Sequence, residues 1–511
     1  CSVVFFTATT RKGFLIERYR SYNLLGYTCF LQCICVAFTL FDAVKGRLFV
    51  FKEIRDLRPM SLSVLIMTLI ASWMLTLSLG ITIVGAQASD TEAGEQFSSL
   101  GGLQIALTCI SIFMCLPSVV KLAIRRDSRR IALWQVIGAS PASAKARYTG
   151  IASISALVGA VLGGIFAYLT WPSFTDLVKN TGLLALPSLS DPLTVWAWTF
   201  GPGTAFLVLL LSLVLGARSI TRIEPVVALS EAPEKAPANS VTKIIFSVLI
   251  VAGIIVGYIA IGKTHPIGQA QPIYDSEKLS GIVSAYWGTG LGLLLAYGLS
   301  DRIIIQPVVR LIGAILPLNF LDSWLLAKTS ARRRSVVSTS VITPLVVAAS
   351  AVGCIFGMVN QTKNVTIALG ASEADLQVSP TSQIILVFGA PVIVAAFAGV
   401  LAVYLTNEWR KHDIALLQTL GATTTSIRWA AVFECLIYFA AAVVISTVIL
   451  GINALAMGTA LHNGPVPGAS PVWIGNETYY LLAVGFALLA ITIVIPTLRE
   501  SHTLRLTAIV R

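Results

Sequence analysis

Long uncharged apolar stretches recur along the whole chain, and short polar segments that carry most of the Lys and Arg residues separate them. A helix needs about 20 apolar residues to cross the hydrocarbon core of a bilayer, because each residue advances it by about 1.5 Å. Ten stretches reach this length and predict ten membrane-spanning helices. They lie near residues 61–86, 103–122, 151–172, 194–216, 244–262, 280–300, 336–359, 383–406, 430–456 and 479–497.

The composition supports a membrane protein and excludes several other classes. Of the 511 residues, 56% are hydrophobic and only 12% are charged, whereas charged residues make up about 25% of an ordinary soluble protein. A soluble fold with so little charge cannot cover its own surface. The eight cysteines and four histidines show no metal-ligand spacing, so no metal or redox cofactor is expected. The predicted fold class is an all-α polytopic membrane protein.

The distribution of charge predicts the orientation in the membrane. Ten spans place residue 51 and the C-terminus on the same side, and the polar segments of that side hold 25 Lys and Arg residues against four in the opposite segments. Such an asymmetry marks the basic segments as cytoplasmic. The formal net charge of +12 therefore reflects topology, and no nucleic-acid partner is expected.

The first 50 residues do not fit this topology well. Residues 22–44 are apolar enough for another span, which would place the N-terminus outside the cell. That end carries Arg11, Lys12, Arg18 and Arg20, which opposes such an orientation. Segment 1–50 is either an extra span or the product of a misassigned start, and the sequence leaves both open.

A duplicated segment gives the clearest sign of organisation. Residues 129–145, after the second span, and 412–428, after the eighth, match without gaps at seven of 17 positions, with an offset of 283. The same offset places 222–227, after the fourth span, on 505–510, after the tenth. The duplication predicts two parallel four-span halves, joined by a segment that contains a two-span hairpin. The predicted domains are 51–230, 231–325 and 326–511.

Each duplicated segment predicts an elbow, here named the first elbow (129–145) and the second elbow (412–428). In the first, Gly138 can adopt the positive φ that ends a helix. Ser140 then suits an N-cap and Pro141 the first position of a second helix. Gly421 and Thr423 can play the same parts in the second elbow. The short helix before Gly138 is expected to place three apolar residues on one side: Ile131, Trp134 and Ile137.

These elbows carry a resemblance to a known family. A basic stretch followed by Ile-Ala-Leu and, after a gap of four residues, Gly-Ala-Ser/Thr resembles the signature of FtsX-like permeases, the transmembrane subunits of MacB-like (type VII) ABC transporters. Residues 222–229 resemble that family's exit motif. The likeness covers residues 51–511 and is closest to the ten-span branch, which includes permeases associated with antimicrobial-peptide resistance.

The resemblance implies a permease in a bacterial cell membrane that binds no cofactor and hydrolyses no ATP itself. A separate ABC ATPase, acting as a dimer with ATP and Mg²⁺, would dock on both elbows and move the membrane helices as levers to export or extract a peptide or an amphiphilic, lipid-like substrate. Whether one or two copies of this chain form the complex is open. The docking residues implied are Arg129, Ile131, Ala132, Leu133, Trp134, Gly138, Ala139 and Ser140 in the first elbow, and Ile414, Ala415, Leu416, Leu417, Gly421, Ala422 and Thr423 in the second.

One feature departs from the family pattern. Family members usually carry a large extracytoplasmic domain between the first two spans of a half, whereas the corresponding segments here, 87–102 and 360–382, are too short for a domain core. A substrate that reaches the protein through the lipid is therefore favoured over one handed on by a periplasmic adaptor.

Three further motifs have simpler interpretations. Residues 257–264 fit the Walker A pattern, but they end an apolar span, so a helix is expected there and not a phosphate-binding loop. Glu434 is an ionisable residue within the ninth span, and is either a functional group or a side chain that reaches the cytoplasmic surface. Glycines four residues apart, at 159/163, 253/257, 288/292 and 353/357, predict close helix packing.

Two other functions remain open from the sequence. One is a non-transporting scaffold for envelope signalling, which would regulate a cell-wall hydrolase or a sensor kinase through the same lever motion. The other is an ATP-independent secondary transporter, which normally needs several ionisable residues near mid-membrane, whereas only Glu434, near the start of the ninth span, comes close.

Overall fold

The structure is a computed structural model, and every element that it describes is a helix. The described residues are 58–88, 92–179, 195–217, 241–263, 276–315, 322–333, 335–368, 381–472, 478–480, 482–487, 490 and 493–494. The helices are α1 (Arg58–Gln87), α2 (Glu92–Arg126), α3 (Ser128–Val136), α4 (Pro141–Lys179), α5 (Val195–Ala217), α6 (Val241–Gly262), α7 (Ser276–Ile315), α8 (Asp322–Arg333), α9 (Ser335–Ala368), α10 (Thr381–Thr419) and α11 (Thr424–Asn463).

Within the described residues, nine helices are long and apolar enough to cross a membrane, namely α1, α2, α4, α5, α6, α7, α9, α10 and α11. Each coincides with one of the first nine predicted spans, so the chain is an all-α, multi-pass membrane protein. The tenth predicted span, 479–497, is described only in part, and its described residues are helical, whereas all of segment 1–50 lies outside the described residues. Several helices extend well beyond their predicted spans; α10, for example, continues from Thr381 to Thr419 without a break.

Successive membrane-crossing helices alternate in direction, which fixes the two ends of the bundle. The end that holds both elbows, here called the elbow end, also holds the starts of α6 and α9 and the end of α7. At the opposite end, intervals of at most 15 residues join consecutive helices, and segments of that length cannot form a domain core.

The core of the bundle runs without interruption from the first five helices to the last three. Helix α1 packs against α2, α4 and α5, while α10 packs against α1 and α2 and thereby joins the two parts of the chain. A single cluster of buried apolar residues includes Leu75 in α1, Leu116 in α2 and Ala398 in α10. The described helices therefore form one packed body.

Helices α1 and α4 approach each other more closely than any side chain larger than hydrogen allows at two positions. A Cβ atom added to Gly159 would lie 2.5 Å from the backbone oxygen of Leu65, and one added to Gly163 would lie 2.3 Å from that of Leu69. At the same interface the hydroxyl of Ser72 donates a hydrogen bond to the carbonyl oxygen of Ala160, at 2.7 Å. Close backbone approach and interhelical hydrogen bonds are the main means of packing helices in lipid.

The glycine pairs do not all serve this purpose. Gly159 and Gly163 meet α1, and Gly353 and Gly357 also meet neighbouring side chains, which confirms the prediction for those two pairs. The prediction is wrong for 253/257, because no atom lies within 4 Å of a Cβ added to either glycine. In the pair 288/292 the prediction holds only for Gly292, whose added Cβ atom would meet the side chain of Ile254 in α6. Sequence spacing identifies a narrow helix face but not whether another helix covers it.

A buried polar cluster fastens the α6–α7 hairpin to α11. Asn453 of α11 is fully buried, and its side-chain oxygen accepts hydrogen bonds from the hydroxyl of Tyr258 in α6, at 2.6 Å, and that of Thr289 in α7, at 2.9 Å. Its amide nitrogen donates to the carbonyl oxygen of Tyr286, at 3.4 Å. One side chain thus joins three helices.

Replacing Asn453 with leucine should loosen this hairpin, because the hydrogen bonds that the hydroxyls of Tyr258 and Thr289 donate to its buried side chain are lost. We expect Asn453→Leu to lower the free energy of unfolding by about 1–2 kcal/mol, measured by circular dichroism during titration of the detergent-solubilised protein with SDS. Tyr258→Phe removes one donor and leaves Asn453 in place, so it should cost less. Equal stability of Asn453→Leu and the wild type would contradict this account.

Helix α8 was not anticipated from the sequence. It lies within the basic segment 301–335 and packs mainly against α11, with further contacts to α7 and α9. Its 12 residues are too few to cross a membrane. Helix α8 therefore lies at the elbow end, beside the start of α11.

Candidate functional site

The first elbow forms the predicted helix–turn–helix. Asp127 separates α2 from the short helix α3, and Gly138 then adopts a φ of +105°. The N–H of Gly138 donates to the carbonyl oxygen of Gln135, at 3.0 Å, and the N–H of Ala139 donates to that of Trp134, at 2.9 Å. This pair of bonds is the Schellman motif, which closes a helix with a glycine in a left-handed conformation.

Helix α4 begins immediately after this turn. The side-chain oxygen of Ser140 accepts a hydrogen bond from the N–H of Ser143, at 3.2 Å, and Pro141 is the first helical residue. The predicted roles of Gly138, Ser140 and Pro141 are therefore confirmed. With the turn bonded on both sides, few backbone torsions are free to change the angle between α3 and α4.

The second elbow repeats these bonds at the same offset of 283 residues. Gly421 has a φ of +90°, its N–H donates to the carbonyl oxygen of Gln418 at 3.0 Å, and the N–H of Ala422 donates to that of Leu417 at 2.9 Å. The hydroxyl of Thr423 accepts from the N–H of Ser426, at 3.2 Å, and α11 begins at Thr424. The predicted roles of Gly421 and Thr423 are confirmed as well.

The two elbows differ in the helix that precedes the turn. In the first elbow α3 is separate from α2, with Asp127 between them, whereas in the second the preceding helix is the end of the long helix α10. The expectation of a short independent helix is thus met in only one of the two elbows.

An apolar side chain protrudes from the tip of each elbow. Ile137 and Leu420, which precede the two turn glycines, are each 83% exposed. One turn earlier, Leu133 and Leu416 are about half exposed. Each of these pairs is related by the 283-residue offset, so the two elbows present the same apolar surface at the same end of the bundle.

Polar and charged residues surround these tips. Arg130, Ser140 and Arg147 are exposed at the first elbow, as are Thr423 and Thr424 at the second. Such residues are typical of a surface in contact with water and not with hydrocarbon. The apolar tips of Ile137 and Leu420 therefore project from a surface that also carries polar and charged side chains.

The structure sorts the expected docking residues into accessible and inaccessible ones. Exposed residues are Leu133, Gly138, Ser140, Leu416, Gly421 and Thr423, and partly buried ones are Trp134, Ala139, Ala415, Leu417 and Ala422. Ile131, Ala132 and Ile414 are buried, so their side chains cannot meet a partner in this conformation. Arg129 lies in α3, and its side chain is outside the described part of the chain.

Ile131, Trp134 and Ile137, which were expected on one side of α3, differ in burial. Ile131 is completely buried, Trp134 is partly buried and Ile137 is exposed. Ile137 is the C-cap of α3, and its N–H still donates the helical hydrogen bond to the carbonyl oxygen of Leu133, at 3.1 Å, so its side chain is exposed because it lies at the free end of the helix. Val136 and Leu133, which the sequence did not single out as a pair, form the exposed apolar face with Ile137.

Specific contacts hold each elbow to the bundle. In the first, Ile131 belongs to the main buried core, and the guanidinium carbon of Arg147 in α4 lies 5.8 Å from the ring centre of Trp134 in α3. A cation over an indole ring at this distance is attracted to it. The short helix α3 is therefore fastened to α4 on the far side of the turn.

In the second elbow the corresponding support comes from α8. Trp324 of α8 is completely buried and meets the ring of Phe433 in α11 edge to face, with 5.6 Å between ring centres. The hydroxyls of Ser323 and Ser426 lie 3.2 Å apart. Helix α8 thus packs against the first three turns of α11 directly beyond the second elbow.

Glu434 lies in the same region, on the third turn of α11. Its carboxylate is buried and accepts a hydrogen bond from the hydroxyl of Tyr438, at 2.7 Å. The hydroxyl of Ser338 in α9 lies 3.3 Å from that of Tyr438. The interpretation that Glu434 reaches the cytoplasmic surface is wrong, because its carboxylate joins a buried polar cluster between α9 and α11.

The described residues give no support for a nucleotide or metal site. Residues 257–262 lie within α6, so the predicted helix is confirmed and the backbone amides of this Walker-like stretch are engaged within a helix. A phosphate-binding loop requires such amides to be free. Across the part of the chain that the structure describes, no three His, Cys, Asp or Glu residues lie together in an arrangement suited to a metal ion.

Comparison with known proteins adds no further assignment. The chain matches no protein-family model and no curated protein sequence.

Proposed function

We propose that the chain is the transmembrane permease subunit of an ABC transporter in a bacterial cell membrane, and that a separate ABC ATPase dimer docks on both elbows from the cytoplasm. The ATPase binds ATP and Mg²⁺, and this chain transmits the resulting motion. The division of the chain into two parallel four-span halves is part of this proposal.

The observation that carries the proposal is the pair of equivalent elbows. Both turns have the same hydrogen bonds at a constant offset, and each ends in an apolar side chain that is 83% exposed on a polar surface. An apolar side chain in such a setting is typical of an interface, where burying it excludes water. Two equivalent contacts suit a partner with two equivalent subunits.

The helices that follow the turns supply the lever. Helix α4 has 39 residues and α11 has 40, so each is about 60 Å long and reaches from the elbow to the opposite end of the bundle. Because each turn is hydrogen-bonded on both sides, a displacement of the elbow is transmitted to the helix. Closure of an ATPase dimer therefore shifts α4 and α11 relative to each other.

The bundle also favours a substrate class. The intervals between helices at the end opposite the elbows have at most 15 residues, too few for a domain that would hold an adaptor protein. Several helices expose apolar faces toward the lipid, and α6 is the most exposed of them. We infer that the transporter exports or extracts a peptide or an amphiphilic, lipid-like molecule that enters from the bilayer.

Charged substitutions at the two tips test the docking role. We expect Ile137→Glu combined with Leu420→Glu to reduce the recovery of the proposed ABC ATPase, co-expressed from the same genome, by tenfold or more, because buried apolar anchors each contribute about 2 kcal/mol to an interface. The measurement is the amount of ATPase that copurifies with the tagged chain, together with ATP hydrolysis by the complex.

The control is Leu325→Glu on α8, which charges a leucine that is 46% exposed and lies outside the elbows. This variant should retain the ATPase at the wild-type level. The melting temperature of all three proteins should agree, because the altered side chains are exposed. Full recovery of the ATPase by the double variant would refute docking on the elbows.

A further inference from the structure

A cluster of charged residues lies at the elbow end, where α2, α6 and α7 converge. Lys121 and Arg125 are one turn apart near the end of α2, Lys243 is in the first turn of α6, and Asp301 and Arg302 are adjacent in α7. Lys121 interacts electrostatically with three cations, those of Lys243, Arg302 and Arg125, and with the carboxylate of Asp301.

The packing of the three helices just below the cluster fixes its position. A Cβ atom added to Gly298 of α7 would lie 2.4 Å from the terminal carbon of Met114 in α2, so these two helices touch there. The hydroxyl of Ser247 in α6 donates a hydrogen bond to the carbonyl oxygen of Ala296 in α7, at 3.0 Å. The charged residues lie about one to three turns beyond these contacts, toward the elbow end.

Among the described residues that interact with Lys121, positive charges outnumber negative ones. Repulsion between like charges is strongest beside a bilayer, because the hydrocarbon lowers the effective dielectric constant. An anion placed among Lys121, Lys243 and Arg302 would offset this repulsion. A phosphate group has the charge and the acceptor oxygens for this position.

The flank of α6 indicates which phosphate fits. Within two turns of Lys243, the side chains of Ile245, Phe246 and Leu249 are more than half exposed and belong to a helix that faces outward from the bundle. A phospholipid can place its phosphate beside Lys121 and Lys243 while its acyl chains cover the exposed apolar side chains of α6. We propose that the cluster binds the head group of an anionic phospholipid. This inference does not depend on the docking of an ATPase.

Lipid binding to the purified chain tests the proposal. The probes are dioleoyl phosphatidylglycerol, dioleoyl phosphatidylcholine as its neutral counterpart, and inorganic phosphate as a head group without chains, each titrated into the detergent-solubilised protein and measured by native mass spectrometry. We expect phosphatidylglycerol to bind more tightly than phosphatidylcholine. Each lysine near the head group should contribute about fivefold in affinity, so Lys121→Gln with Lys243→Gln should lose about 25-fold.

The matched control carries Lys179→Gln and Lys263→Gln, two exposed lysines at the opposite end of the bundle, and should bind phosphatidylglycerol as the wild type does. If the double variant fails to fold, the single variant Lys243→Gln is measured instead, because Lys243 is exposed and its replacement should preserve the fold. We expect this single variant to bind phosphatidylglycerol about fivefold more weakly than the wild type. The proposal would be overturned if both lipids bound equally, or if the control pair lost as much affinity as the Lys121 and Lys243 variant. Displacement of phosphatidylglycerol by millimolar inorganic phosphate would also overturn it.

Discussion

Truncation of Trp324 to alanine is expected to lower the free energy of unfolding by about 3–5 kcal/mol, as is typical when a fully buried tryptophan is removed. Trp324 is the largest completely buried side chain in the described part of the chain, and its ring packs edge to face against Phe433. The cavity left by its removal lies between α8 and α11. Circular dichroism during SDS titration measures the loss, and no change would contradict the role assigned to this residue.

Two controls separate ring packing from other effects. Trp429 also contacts Phe433, with 5.9 Å between ring centres, but it is 54% exposed, so Trp429→Ala should cost much less. Trp324→Phe keeps an aromatic ring in the site and should cost less than about 2 kcal/mol. Helix α8 supports α11 just beyond the second elbow. Trp324→Ala should therefore also reduce the amount of the proposed ATPase that copurifies with the chain, whereas Trp429→Ala should reduce it only slightly.

A second large effect is expected where α1 meets α4. An alanine at position 163 would place its Cβ atom 2.3 Å from the backbone oxygen of Leu69 and 2.7 Å from the Cβ atom of Ser72. Neither atom can rotate away, so α4 must shift relative to α1. We expect Gly163→Ala to lower the free energy of unfolding by about 2–3 kcal/mol, a typical cost of overpacking.

Gly150 provides a matched control on the same helix. No atom lies within 4 Å of a Cβ atom added at Gly150, so Gly150→Ala gains helix propensity, about 1 kcal/mol, without a clash. The two identical substitutions should therefore change stability in opposite directions. If Gly163→Ala were as stable as Gly150→Ala in the same SDS titration, the close approach of α1 and α4 would be disproved.

The contrast between these glycines shows how far sequence reasoning extends in a membrane protein. Hydropathy located nine spans, because the bilayer requires a fixed length of apolar residues. It cannot tell Gly163 from Gly253, because the lipid and the protein interior are equally apolar and both accept a small residue. Which face meets another helix depends on the tertiary arrangement, so the buried position of Trp324 was also missed.

Local chemistry was more informative at the elbows. A glycine followed two residues later by Ser140 or Thr423 specifies a helix end and a new helix start through short-range hydrogen bonds alone, and both turns were correctly predicted. The accessibility of Ile131 and Ile414 was not predictable in this way, because each is buried by residues remote in sequence. The accessible part of the proposed docking surface is therefore smaller than the resemblance implied, and it centres on the tips.

The break at Asp127 gives the two elbows different stiffness. A load on the second elbow passes into α10, which is continuous from Pro391 to Thr419 over roughly 40 Å, whereas a load on the first can be relieved by bending between α2 and α3. Symmetric closure of the proposed ATPase dimer would thus displace the helices at the two elbows by different amounts. Helices α10 and α11 would be displaced directly, whereas α3 would bend relative to α2.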